Sequence, residues 1–135
     1  MSLGKRIHHI GIVVDNLGDA VSFLTDTVGL EVTQTLDIPE RGGLKAAFLP
    51  WGNAQIEMIE VSDPETRRTR LGDSAARIEH IAIEVDDLAA TAAALVAKGV
   101  GFTSEQPLAG GGMAYYFTQP ETTDGVQYQF IQTVS

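Results

Sequence analysis

Two histidines, one carboxylate and one amide carry the most promising chemistry in this chain. His9 and His80 lie in stretches that are copies of each other. Arg6-Ile7-His8-His9-Ile10-Gly11-Ile12-Val13-Val14-Asp15-Asn16-Leu17 is repeated 71 residues later as Arg77-Ile78-Glu79-His80-Ile81-Ala82-Ile83-Glu84-Val85-Asp86-Asp87-Leu88, with eight of twelve positions identical. The copying extends further along the chain. Leu44…Phe48…Glu57 has the layout of Met113…Phe117…Gln129, which makes Glu57 and Gln129 counterparts 72 residues apart. A single strand histidine is ordinarily a satisfied structural residue. One repeated at the same point of both copies, with an oxygen-bearing partner each time, points to a ligand set. Two imidazoles, one carboxylate and one amide oxygen suit a borderline divalent ion with positions left open for substrate. One negative charge in the set would leave a divalent centre at about +1, able to polarise a carbonyl as a Lewis acid. Gly11 and Ala82, two residues beyond each histidine, would leave room above it.

The elements that must position these residues follow from periodicity. Over Ile7–Val14, Ile10, Ile12 and Val14 share one side and His9, Gly11 and Val13 the other, a strand pattern. Asp15 or Asn16 can cap the next helix. In that helix Ala20, Val21, Leu24 and Val28 recur at three- and four-residue spacing, and Gly29 sits where a left-handed terminal residue is wanted. Strands are expected at 30–37, 44–49 and 55–61, with turns at 39–43 and 50–53. Residues 62–74, with Pro64, Arg67, Arg68 and Arg70, read as a linker with a short helical turn. The second copy repeats the plan: strand 78–85, helix 88–98 stopped by Gly99, then strands near 101–104, 113–118 and 125–132. The fold class expected is α+β. Two pseudo-symmetric βαβββ modules, about 5–62 and 77–133 with a linker of about 63–76, form one eight-stranded open cup with helices outside. In that cup, a single domain spanning 1–135, the histidines face each other. Met1–Lys5 reads as a frayed start.

Composition narrows the function classes. The chain has 135 residues, 44% hydrophobic and 20% charged, an ordinary globular composition. No apolar run approaches the roughly 18 residues of a membrane span, and no signal-peptide pattern opens the chain, so a cytoplasmic location and no membrane partner are expected. With no cysteine, disulfides, thiolate metal sites and cysteine nucleophiles are excluded. Nine Lys+Arg against 18 Asp+Glu give a net charge of −9, which argues against nucleic-acid binding.

Other residues have types suited to contacting substrate. Lys45, Phe48, Tyr116, Gly111 and Gly112 are the candidates, with Glu84 a further cup-lining residue. Ala109-Gly110-Gly111-Gly112 lacks the Lys-Ser/Thr of a phosphate loop and reads as a flexible loop over the cup mouth. His8 points away from the cup and reads as surface or edge. Arg67, Arg68 and Arg70 form a solvated patch or an anchor for an acidic substrate tail, and Trp51 reads as a turn staple.

Taken together, Ile7-His8-His9-Ile10-Gly11-Ile12, Pro39-Glu40-Arg41-Gly42, Phe48-Leu49-Pro50-Trp51-Gly52-Asn53, Ile56-Glu57-Met58-Ile59-Glu60, Ile78-Glu79-His80-Ile81-Ala82 and Gln119-Pro120 before Gly125-Val126 resemble the vicinal oxygen chelate superfamily, the glyoxalase I and bleomycin-resistance group. Within it the chain most resembles methylmalonyl-CoA epimerases, over residues 6–132. The resemblance places the metal ligands on His9, Glu57, His80 and Gln129, around one divalent ion for which Co, Ni, Zn and Mn are not distinguished. It implies a metal-dependent isomerase or lyase acting on a small carbonyl or thioester substrate through a metal-stabilised enolate, with Glu57 as proton acceptor, and a homodimer. Epimerases ordinarily carry Glu at the last ligand position, and a glutamine cannot serve as a general base. Lys45 stands where some epimerases have a carboxylate, and Glu121-Thr122-Thr123-Asp124 is acidic where they commonly carry Lys. The alternatives are a glyoxalase I-like lyase, and a non-catalytic antibiotic-type binder with no metal and an apolar cup lined by Val13, Phe48, Tyr115 or Tyr116, and Phe117. A non-haem iron dioxygenase using His9, His80 and Glu57 is a further one.

Overall fold

Alternation governs the first strand of each copy, and in the computed structural model both form where expected. β1 spans Arg6–Val14 and β5 spans Ala76–Glu84. The description covers residues 3–134. Met1, Ser2 and Ser135 lie outside the described residues, and with them the first part of the expected frayed start. Lys5, at the other end of that start, is held: its N–H donates to the Glu84 carbonyl at 2.8 Å and its ammonium lies 3.2 Å from Asp86.

Each copy then runs strand, helix and three further strands. Module one has α1 (Leu17–Ser22), β2 (Gln34–Ile38), β3 (Leu44–Trp51) and β4 (Ala54–Glu60). Module two has α3 (Leu88–Val96), β6 (Leu108–Gly110), β7 (Met113–Phe117) and β8 (Tyr128–Thr133). The helix between modules, α2, spans Pro64–Arg70. Strand order is β2-β3-β4-β1-β5-β8-β7-β6. By contacts the chain separates into two compact units, 9–79 and 1–8 with 80–135, so that the division falls within both β1 and β5. Among the described residues no helix is long and apolar enough to cross a membrane.

Local chemistry explains the helix ends. Asn16 and Asp87 accept from the amides of Asp19 and Ala90 at 2.9 and 3.0 Å, so both module helices start on a side-chain cap. A second acceptor repeats as well: Glu60 Oε1 takes the Leu17 N–H and Gln132 Oε1 the Leu88 N–H, each at 2.8 Å. These amides point along the helix axis with no intrahelical partner, so both acceptors fix where the helix meets the sheet. After Ser22 the helical turn widens to π-type bonding over Phe23–Val28 and ends on Gly29 at φ 92°, the left-handed residue expected there.

The core of 9–79 has two sides. Val13, Ala46, Ile59, Val61 and Leu71 pack together on one, while Leu24 of the helix packs on Ala47 and Leu49 on the other. In the second module Ala82, Met113, Tyr115 and Ile131 cluster, with Phe117 against them.

The expected strand at 101–104 is reduced to a single bridge between Phe102 and Thr118, and the edge strand is instead β6. Its cause is the glycine run. Gly110 pairs with Met113, leaving Gly111 and Gly112 as a two-residue turn at φ 60° and 76°. Positive φ at both central residues is what a tight hairpin needs, and glycine supplies it without steric cost. The Gly112 carbonyl also accepts the Val134 N–H at 2.9 Å. The flexible loop expected here is therefore a hairpin turn.

Candidate functional site

Register places the site residues of module one. β1 and β4 run parallel with Gly11 opposite Glu57, and β3 runs antiparallel to β4 with Phe48 opposite Glu57. Residues opposite one another share a face, so His9, Gly11, Glu57 and Phe48 lie together on one side of the sheet. His9 Nε2 is 3.2 Å from Glu57 Oε1, and both side chains are buried. Phe48 meets the His9 ring edge to face, with centroids 5.4 Å apart at 88°. An imidazole so held has little rotational freedom left, and its Nε2 is directed at the carboxylate.

Module two reproduces the arrangement with one change. Ala82 is opposite Gln129 in the parallel pair of β5 and β8, and Phe117 is opposite Gln129 in β7 and β8. His80 is buried and meets Phe117 edge to face, 5.3 Å apart at 83°. The amide stands where module one has the carboxylate. Gln129 Oε1 is buried and, among the described residues, is a side-chain oxygen with no hydrogen-bond partner. A buried amide oxygen left unpaired costs about 1–3 kcal/mol. Such an atom is what a cation ligand looks like before the cation is counted. The donor types in each module, imidazole with carboxylate in one and imidazole with amide oxygen in the other, are ones that suit a divalent ion.

Several candidates lie elsewhere. Lys45 is three residues from Phe48 on the same strand, and therefore on the opposite face, where it lines a cavity beside α1 with Leu17, Gly18 and Val21. Tyr116 is one residue out of phase with Phe117. It too lies on the opposite face, with its ring 4.9 Å from that of Phe102. Tyr115 is the aromatic that shares the Phe117 side, 5.6 Å from that ring and buried. Counting by two from Phe117 selects it over Tyr116, the other ring named for an apolar cup lining. Glu84 shares the His80 side of β5 by alternation, and its carboxylate is bound to Arg6 Nε at 2.7 Å. His8 is buried rather than at the surface. Trp51 is half exposed at the end of β3 instead of stapling a turn.

The arginines of α2 also have structural partners. Arg67 donates to the Asp15 carboxylate and to the Asp15 and Val61 carbonyls, and Arg70 grips Glu79 through two bonds of 2.7 and 2.8 Å. They tie the linker to Asp15, Val61 and Glu79, which leaves the solvated-patch reading, of the three arginines, to Arg68.

The model of the Glyoxalase/Bleomycin resistance protein/Dioxygenase superfamily matches residues 6–130. The chain belongs to that superfamily. Among its relatives, the mitochondrial methylmalonyl-CoA epimerase of Mus musculus is 28% identical over 130 residues, covering 94% of this chain and 72% of that protein. The lactoylglutathione lyase of Haemophilus influenzae is 32% identical over 138 residues, covering 96% and 94%. Among solved structures, methylmalonyl-CoA epimerase from Mycobacterium tuberculosis superposes with a TM-score of 0.89 at 25% identity, covering 99% of this chain and 91% of that one. The eight-stranded α+β architecture is thus that of the superfamily, as its resemblance implied.

Proposed function

We propose that the chain is a metal-dependent, methylmalonyl-CoA-epimerase-like enzyme, in which His9, Glu57, His80 and Gln129 hold one divalent ion. The observation that carries this is the repeated row of histidine, phenylalanine and oxygen ligand, closed in module two by the unpaired Gln129 oxygen. His9, Glu57 and His80 are all buried and all of ligand type. The likeness to epimerases and to a lactoylglutathione lyase supports chemistry at a carbon beside a carbonyl, with a CoA thioester as the first substrate class.

A divalent ion bound there supplies a Lewis acid that polarises the substrate carbonyl and acidifies the adjacent C–H. Glu57 is the carboxylate of the set and takes that proton, and inversion is completed when a proton from solvent reaches the opposite face of the substrate enolate. His9 Nε2 and Glu57 Oε1, 3.2 Å apart, are close enough to face one ion together. Gln129 binds through its oxygen and exchanges no proton. Phe48 and Phe117 flank the imidazoles and restrict water, which strengthens the electrostatic interactions at the site. Gly11 and Ala82, opposite the two oxygen ligands, leave the space a substrate carbonyl would take. A lyase acting on a thiol adduct uses the same residues, with Glu57 returning the proton to the neighbouring carbon.

The test is solvent deuterium incorporation into methylmalonyl-CoA, followed by NMR with and without added divalent metal. We expect metal-dependent exchange that falls roughly 10²- to 10⁴-fold in Glu57→Gln, while His9→Ala loses the metal itself. Exchange that survives unchanged in Glu57→Gln removes Glu57 from the mechanism. A purified protein with neither metal nor exchange overturns the enzyme reading in favour of a binding protein.

A further inference from the structure

The face of module one opposite the candidate metal ligands carries a cavity of about 410 Å³ between α1 and the outer strands. Gly18 and Val21 form its helix side, and Val32, Asp37, Lys45 and Ala47 its strand side. That volume lies in the range of small-molecule sites. Alternation along β3 sets it apart from His9, Glu57 and Phe48, since Lys45 and Ala47 are out of phase with Phe48.

The internal copy shows what is missing there. The Thr33 N–H donates to the Phe48 carbonyl at 3.0 Å, and the Thr103 N–H to the Phe117 carbonyl at 2.9 Å. Phe48 and Phe117 are counterparts by register and by their contact with histidine. Val32 therefore corresponds to Phe102, and Ala47 to Tyr116. In module two those two rings stack at 4.9 Å and 33°, and the Tyr116 hydroxyl donates to the Glu105 carbonyl at 3.5 Å. In module one both rings are replaced by small side chains, and a cavity stands in their place.

We propose that this cavity is a binding site for a planar aromatic monoanion, whose ring occupies the space that the Phe102–Tyr116 pair fills in the other module. Lys45 supplies the charge. It corresponds to Ala114, so the cation occurs in the module that has the cavity. Its ammonium has no ion-pair or hydrogen-bond partner among the described residues. Asp37 and Glu60 lie opposite Lys45 on the neighbouring strands. Glu60 already accepts the Leu17 N–H. Two carboxylates beside one ammonium disfavour a multiply charged ligand such as a phosphate ester, and the most negative charge that this one ammonium can pair is a single carboxylate or sulfonate held on the Lys45 side of the cavity. The ring stacks against Val21, Val32 and Ala47 and gains the area that the missing side chains would have buried.

The experiment is a titration of the full ¹⁵N-labelled chain with 2-naphthoate, read as amide shifts. We expect shifts at Gly18, Val32, Ala46 and Ala47, and none at His9 or Gly11. The double variant Val32→Phe/Ala47→Tyr, which rebuilds the ring pair, loses affinity by roughly tenfold or more. Lys45→Gln, at an exposed position, weakens 2-naphthoate severalfold but leaves neutral 2-naphthamide unchanged. Shifts confined to the His9 side, no shifts at the solubility limit of the probe, or unaltered affinity in the rebuilt variant overturn the proposal. Should the double variant fail to fold, Lys45→Gln decides: equal effects on the acid and the amide overturn it.

Discussion

A glutamate and a glutamine are close in shape and different in charge, and the 57/129 pair turns on that difference. In the proposed ligand set Gln129 and His80 would form a neutral half, and Glu57 would bring the negative charge. Gln129→Glu should therefore tighten divalent metal binding by roughly tenfold or more through the added charge, measured by competition with a chelator. Equal affinity would place Gln129 outside the ligand set. That His9 shares a face with Glu57, and His80 with Gln129, was legible in the sequence because the chain writes the arrangement twice. Lys45 and Tyr116 were misplaced for a simple reason. Polar tips attract attention as substrate contacts, yet the face is set by phase relative to Glu57 and Gln129, where one step reverses the side. His8 was misread because β1, lying between β4 and β5 in strand order, buries residues on both faces.

Elements were legible where periodicity and caps agreed. The two module helices, their side-chain caps and Gly29 were all expected and are present. The edge of module two was less legible, because a glycine run reads equally as a mobile loop or a tight turn until its register is known. In α2, Asp63 caps the helix by accepting from the Thr66 amide at 2.9 Å and its hydroxyl at 2.8 Å. The Thr66 amide first, and the hydroxyl second, hold the Asp63 carboxyl below its ordinary value of 3.8. A lowered folded-state pKa means that the cap contributes fully above that ordinary value and is lost as pH falls through the lowered one. Amide exchange at Thr66 and Arg67, corrected for intrinsic rates, should accelerate as pH falls through that window. In Asp63→Asn, whose amide oxygen still accepts but does not titrate, the acceleration should disappear. If it persists, another group controls the opening of α2.

For the molecule as a whole, duplication organises everything else: repeated strands, repeated caps, and a repeated pair of helix-end acceptors in Glu60 and Gln132. If both modules contribute ligands to one ion, that ion binds the folded chain and not the unfolded one. Metal at 100 times its dissociation constant would then add about 2.7 kcal/mol to the stability of the whole chain. Chelator treatment should lower the thermal midpoint and readdition of a divalent ion restore it. His80→Ala should abolish the difference as completely as His9→Ala. A metal effect that survives either substitution would mean that the ion is bound elsewhere. The division between the two compact units inside β1 and β5 was not legible, because it depends on which neighbours a strand pairs with along its length.

The two edge-to-face contacts also have a magnetic consequence. Each imidazole at the site lies within the ring current of one phenylalanine, at centroid separations of 5.4 and 5.3 Å and nearly perpendicular. The ring protons of His9 and His80 should therefore be displaced from their usual resonance positions by similar amounts. Phe48→Leu should return the His9 signal and Phe117→Leu the His80 signal, which assigns each of the pair. Each half of the site thus carries its own spectroscopic label, by which the arrival of an ion could be timed at each imidazole separately.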